Sequence, residues 1–140
     1  MKDYVSGNAT LESVPVASSR DVVQARQTVR NLALSSGLSL VHQTKLVTAA
    51  SELARNMLVY GGGGVVRAAA VTDVGGRCGV FVEFRDEGPG IPDVELALTD
   101  GWSSGTGMGL GLSGAKRLVN EFDIRTGPGG TAVSIVMWNR

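Results

Sequence analysis

The sequence predicts an α+β fold, a two-layer sandwich in which a mixed, mostly antiparallel β-sheet is covered on one face by helices. Three observations lead there. Apolar residues recur at helical spacing over two long segments, and shorter valine-rich or alternating runs follow them. A Gly-Gly pair between two of those runs marks a hairpin, which makes its strands antiparallel neighbours. The 140 residues, 43% hydrophobic and 19% charged, make one ordinary domain with core enough to need no disulfide or metal staple.

The elements are justified in chain order. Residues 1–10 read as a flexible N-terminus, and residues 11–140 as a single domain. Residues 11–17 alternate weakly and form a short strand, with Pro15 placing it at an edge. Ser18 or Ser19 with Asp21 starts a helix. Val22, Val23, Ala25, Val29, Leu32 and Ala33 give that helix its apolar stripe, and Gly37 closes it. A second helix runs from about residue 40 to 60 on Val41, Leu46, Val47, Ala50, Leu53, Ala54, Met57 and Leu58. The four glycines from Gly61 to Gly64 end it. Residues 65–74 and 79–86 are strands joined by the turn Asp73-Val74-Gly75-Gly76-Arg77. Pro92 and Asp93 can open a short helix through Leu98. Residues 99–109 form a polar, glycine-rich loop of a length usually reserved for functional lids. Residues 115–122 read as a helix, Gly127-Pro128-Gly129-Gly130 as a turn, and residues 131–138 as a final strand in which Trp138 closes the core.

Charge and composition exclude several classes. Thirteen basic residues balance thirteen acidic ones, leaving no excess for a phosphate backbone, so nucleic acid is not an expected partner. No apolar run approaches the ~20 residues of a membrane-spanning helix, and the first residues lack the apolar core of a signal peptide. With Cys78 as the single cysteine, the expected compartment is a reducing cytoplasm. The 20 glycines are unevenly spread, most of them between Gly61 and Gly114. Such clustering fits backbone that bends sharply or approaches a ligand.

Three segments carry chemistry. Glu52 and Asn56 lie four apart on the second helix and so share a face. A carboxylate and a carboxamide together can hold a hard, oxygen-seeking cation, although taken alone the pair reads more readily as the solvent face of an amphipathic helix, since most helices carry such pairs. Asp86-Glu87-Gly88-Pro89-Gly90 follows a strand directly. It is either an acceptor for an amino group, beside glycines that let a flat ligand approach, or a tight turn with a solvated acid. Gly105-Thr106-Gly107-Met108-Gly109-Leu110-Gly111-Leu112 has glycine at every second position before a helix, so successive N–H groups can converge on a polyphosphate. The G-x-G-x-x-G match at Gly109–Gly114 lacks a preceding strand and is accidental. His42 reads as a surface residue, Cys78 as inert, and Trp102 as a partner contact in the lid.

In order, Glu52-x-x-x-Asn56, Asp86-x-Gly88-x-Gly90, Gly107-x-Gly109-x-Gly111 and Gly130-Thr131 resemble the sequence boxes of the GHKL ATPase superfamily and its Bergerat-type ATP-binding fold. At this length the chain resembles the single-domain anti-sigma regulatory factors and serine/threonine kinases of bacterial partner-switching modules. Ser51-Glu52-Leu53-Ala54-Arg55-Asn56, Asp86 to Asp93, Asp100 to Gly105 and Gly111 to Phe122 look like the RsbT-type switch kinases, a likeness running from about Leu11 to Trp138. The chain departs from that pattern at Ser113, where proline is usual, and at Trp102, where phenylalanine is usual.

The resemblance implies roles. Asn56 would ligate Mg²⁺, Glu52 would be the general base, and Asp86 would bond the adenine amino group with Gly88 and Gly90 beside the base. Gly105, Gly107, Met108, Gly109, Leu110 and Gly111 would cradle the phosphates of ATP, and Thr131 would support the adenine pocket. It further implies phosphorylation of STAS-domain antagonist and stressosome scaffold proteins and, on release, activation of a PPM-type phosphatase. The alternatives are an anti-sigma kinase that binds a sigma factor, or a nucleotide-gated binding module without kinase activity. A histidine-kinase fragment fits less well, since no dimerisation helix with a phosphoacceptor histidine is present.

Overall fold

The computed structural model describes residues 4–6, 11–91, 94, 98 and 111–140. Among these, six strands form one sheet: β1 (Tyr4–Ser6), β2 (Glu12–Val16), β3 (Gly64–Asp73), β4 (Cys78–Asp86), β5 (Glu121–Gly127) and β6 (Gly130–Trp138). Their order is β1-β3-β4-β6-β5, and β2 also pairs with β3. β1 and β2 lie end to end on one edge of β3, with Tyr4 opposite Asp73 and Val16 opposite Gly64. Every pairing is antiparallel, so the mixed sheet expected from the sequence is corrected to an antiparallel one among the described strands. The β3–β4 and β5–β6 hairpins reverse the chain twice, and β6 returns alongside β4 in the opposite sense.

Among the described residues, three helices cover one face: α1 (Ser19–Ser35), α2 (Leu40–Gly61) and α3 (Gly111–Leu118). α1 starts where Ser18 and Asp21 form a capping box. The Asp21 carboxylate accepts from the backbone N–H of Ala17 (2.8 Å) and of Ser18 (3.1 Å). α2 starts at Ser39, whose Oγ accepts from the His42 N–H at 3.1 Å. It ends at Gly62, whose left-handed φ of 77° turns the chain out of the helix. α2 packs against α1 on one side and α3 on the other. Its buried residues, Leu46, Val47, Ala50, Leu53, Ala54 and Met57 among them, meet Val66, Val82, Phe84, Val133 and Ile135 from the sheet. The expected stripe is right except at Val23 and Val41, which are exposed. Val23 lies about 100° around the helix from buried Val22, outside the stripe that Val22, Ala25, Val29, Leu32 and Ala33 bury.

Two strands were not legible from the pattern. β1 lies within the stretch expected to be a flexible end. β5 begins at Glu121, inside the segment expected to be helical. Phe122 and Ile124 pack on the core from this strand, so the apolar spacing of Leu118, Val119 and Phe122 mixes the end of a helix with the start of a strand. Asn120 makes the switch: its N–H donates to the Val136 carbonyl (3.1 Å), and its Oδ1 accepts from the Trp138 N–H (2.7 Å). Trp138 is buried, but on the face away from the helices, in a second cluster with Val71, Val136 and Phe81. Its Nε1 donates to Glu121 at 2.9 Å, and the Arg77 guanidinium lies 4.7 Å above its ring. The short helix expected after Pro92 is represented by one helical bond, Leu98 N–H to the Val94 carbonyl. The loop expected over residues 99–109 falls outside the described residues.

The β3–β4 turn is organised by Asp73. Its carboxylate accepts from the N–H groups of Gly75 (3.0 Å) and Arg77 (2.7 Å) and from Arg77 Nε (2.6 Å). The Arg77 side-chain bond is the main reason its carboxyl sits below the ordinary value of 3.8. A lowered carboxylate pKa contributes stability that is complete above the unfolded value and is lost as pH falls through the folded one. Asp73→Asn should therefore lower the unfolding temperature at neutral pH, and the gap to the parent should narrow below about pH 4. Thermal melts from pH 7 to pH 3 measure this; a constant gap would contradict the role given to the carboxylate.

Candidate active site

The second half of α2 carries the first group. Glu52 and Asn56 stand one turn apart, as their spacing requires. The Glu52 side chain is 41% exposed, and its Oε1 lies 3.3 Å from Arg55 Nη1. At this exposure such a pair adds little stability and leaves the carboxylate accessible. Asn56 differs. Its Oδ1 is buried and has no hydrogen-bond partner among the described residues. An unsatisfied buried acceptor costs about 1–3 kcal/mol, which a ligand would relieve. A neutral carboxamide oxygen is a hard donor suited to Mg²⁺. That ion keeps several waters and shares its ligands with phosphates, so it needs few protein donors. No group of three His, Cys, Asp or Glu able to hold a metal is present among the described residues. The Asn56 oxygen thus fits an ion that takes its remaining ligands from water and phosphate.

The second group lies at the end of β4. Asp86 Oδ1 accepts from the Gly88 N–H (2.9 Å) and from the Thr131 N–H of β6 (3.3 Å). Thr131 and Thr126 face each other across the β5–β6 hairpin, with hydroxyl oxygens 2.8 Å apart. Thr126 Oγ1 also accepts from the Ile91 N–H at 2.8 Å. The turn after β4 is thereby tied to the last hairpin. Asp86 Oδ2, by contrast, has no hydrogen-bond partner among the described residues, and it borders Gly61. A Cβ on Gly61 would stand 2.5 Å from both that oxygen and the carboxylate carbon, and one on Gly88 would stand 2.8 Å from Gly61 Cα. The end of α2 therefore meets the Asp86 turn backbone to backbone. At Gly90, φ is +83° and an added Cβ would run into the Gly127 carbonyl. The space expected for a flat ligand at Gly88 and Gly90 is taken first by the protein's own backbone.

The structure therefore brings Asp86, Gly88, Gly90 and Thr131 together at the C-terminal end of α2. Asn56 lies five residues earlier on that helix and Glu52 nine, or ~7 Å and ~13 Å at the helical rise. Gly111 is the first residue of α3, which packs against α2. Gly105, Gly107, Met108, Gly109, Leu110 and Trp102 lie outside the described residues. Sequence reasoning missed Gly61, read only as a helix stop, and Thr126. Thr126 had a signal in its pairing with Thr131 across a short turn; Gly61 had none, because its neighbour Asp86 is distant in sequence. Of the minor candidates, His42 is half-buried near the start of α2 and Cys78 is a free thiol at the start of β4.

Comparison with known proteins bears on the family and the fold. The chain is similar to the serine/threonine-protein kinase RsbT of Bacillus subtilis, at 41% identity over 128 residues, 91% of this chain and 96% of that protein. In fold it is similar to the RsbU and RsbW domains of Rv1364c from Mycobacterium tuberculosis, with a TM-score of 0.61 at 19% identity; the match covers 94% of this chain and 33% of that one. It is similar too to the SiaB–SiaC complex of Pseudomonas aeruginosa, with a TM-score of 0.53 at 14% identity over 92% of this chain and 89% of that one. The family model for the histidine kinase-like ATPase domain matches residues 16–137. With its α2 and β4 groups joined at one helix end and this match over nearly its whole length, the chain belongs to the histidine kinase-like ATPase domain family.

Proposed function

We propose that this chain is an ATP-dependent serine/threonine protein kinase of a bacterial partner-switching module. The observation that carries the reading is the buried, unpartnered Asn56 oxygen one turn from the accessible Glu52 carboxylate, in a chain 41% identical to a serine/threonine kinase. Asp86 Oδ2 is the free acceptor for the adenine amino group, while Oδ1 is held by the Gly88 and Thr131 N–H groups. Asn56 is the Mg²⁺ ligand, and Gly105, Gly107, Met108, Gly109, Leu110 and Gly111 supply backbone N–H groups to the phosphates. When bound, Mg²⁺ neutralises charge on the triphosphate.

Phosphoryl transfer needs position and charge more than covalent help from the protein. α2 provides position by holding Asn56 and Glu52 on one rigid face. Glu52 takes the proton from a serine or threonine hydroxyl as the hydroxyl oxygen bonds to the γ-phosphorus. The bond from that phosphorus to the bridging oxygen breaks, and ADP leaves. A base exposed enough to meet a hydroxyl on another protein suits this step. The acceptors are serines or threonines of STAS-domain antagonist and stressosome scaffold proteins. Once released from them, the chain binds and activates a PPM-type phosphatase. No helix among the described residues is long and apolar enough to cross a membrane, and the proposed site of action is the cytoplasm.

Two experiments test the reading. With γ-labelled ATP, Mg²⁺ and STAS-domain proteins, the parent should label a serine or threonine. Glu52→Gln should cut the rate about 10²–10⁴-fold while keeping nucleotide affinity, and Asn56→Ala should abolish the Mg²⁺ dependence of ATP binding. Full labelling by Glu52→Gln would remove the base assignment. The second is calorimetric titration of ATP into Gly61→Ala and Asp86→Asn. Each should lose about tenfold or more in affinity, one by filling the space beside Oδ2 and the other by replacing that acceptor. Unchanged affinity in both would place the adenine elsewhere.

A further inference from the structure

Between α1 and α2 runs a groove of about 250 Å³ that opens beside Glu52. Arg26 and Arg30, four apart on one face of α1, line one wall. Thr48, Ser51, Glu52 and Arg55 of α2 line the other. Three guanidinium groups thus face a single carboxylate. Glu52 is engaged by Arg55, and among the described residues neither Arg26 nor Arg30 has an ion-pair partner. The chain as a whole carries no net charge, so this positive strip is local rather than part of a basic surface.

We infer that the groove is a docking site for an acidic segment of the phosphoacceptor protein. The inference rests on the kinase reading for the identity of the occupant, and on the groove itself for its chemistry. Guanidinium forks pair with carboxylates bidentately, and unpaired positive charge on a concave wall steers an acidic partner and sets its register. Hydroxyls at Thr48 and Ser51 add neutral hydrogen-bond capacity. Because Glu52 borders both the groove and Asn56, a segment lying along the groove brings its neighbouring residues to the base. An incoming carboxylate also competes with Glu52 for Arg55. That exposed pair is weak, so docking draws Arg55 away and leaves the base oxygen free for the hydroxyl proton.

The test uses the full chain and two readouts. In the first, fluorescein-labelled hexaglutamate is titrated at low salt and followed by anisotropy, with hexalysine and a phosphoserine peptide in parallel. The parent should bind hexaglutamate and release it as salt rises. Arg26→Gln/Arg30→Gln should lose about tenfold or more, while Arg85→Gln, an exposed arginine remote from the groove, should not. Thermal melts confirm that each variant is folded. In the second, the double variant should raise the KM for a STAS-domain acceptor about tenfold or more at unchanged ATP affinity. Hexaglutamate binding that is absent, or equal in parent and double variant, would overturn the inference, as would an unchanged KM or binding only of the phosphoserine peptide. If the parent labels no STAS protein but loses hexaglutamate in the double variant, the groove chemistry stands and the kinase reading fails.

Discussion

The site depends on one close contact, the meeting of the end of α2 with the turn that follows β4. Gly61 and Gly88 approach without side chains, and no Cβ fits between Gly61 and the Asp86 carboxylate. This contact ties a helix that carries Glu52 and Asn56 to a strand end that carries Asp86. Two rigid elements then fix the three side chains of the proposed site relative to one another, where loops alone would leave them loose. The same turn is bound to the β5–β6 hairpin through Thr131 and Thr126. Movement of either end would disturb the acceptor geometry at Asp86.

Burial separates the roles along α2. Asn56 hides an oxygen that the folded protein leaves unsatisfied, a cost tolerated where binding supplies the missing partner. Glu52, one turn away, stays in reach of solvent and is engaged only by a weak pair to Arg55. The first arrangement suits holding a ligand, and the second suits meeting a macromolecule. The arginines of α1 line a groove with the accessible side of α2, so the proposed nucleotide and docking sites share one helix.

Much of the fold was legible because its signals are local. Ser18 with Asp21, Ser39, and Gly62 mark helix ends through bonds that span a few residues. The Asp73 turn joins its strands for the same reason. β1 and β5 were not legible. Three residues from Tyr4 to Ser6 have no periodicity to read, and their order comes from the free edge of β3. In β5, Phe122 continues a helical spacing from Leu118 and Val119 by coincidence, and the β6 partner decides the outcome. Trp138 carries an apolar side chain whichever face it takes; the pleat puts it opposite Met137 and hence away from the helices.

By itself the sequence determined the antiparallel hairpin pairing, the helical stripe of α2, and the spacing that sets Glu52 and Asn56 on one face. These follow from bond geometry over a handful of residues. Only the tertiary structure decided that Asn56 Oδ1 is buried and unpaired while Glu52 is accessible, since burial depends on neighbours from the sheet and from other helices. It alone turned Gly61 from a helix stop into the residue that keeps space beside Asp86. It alone set Arg26 and Arg30 across from Arg55. Gly61 and Asp86, like Arg30 and Arg55, lie 25 positions apart, and packing, rather than local propensity, brings such residues together.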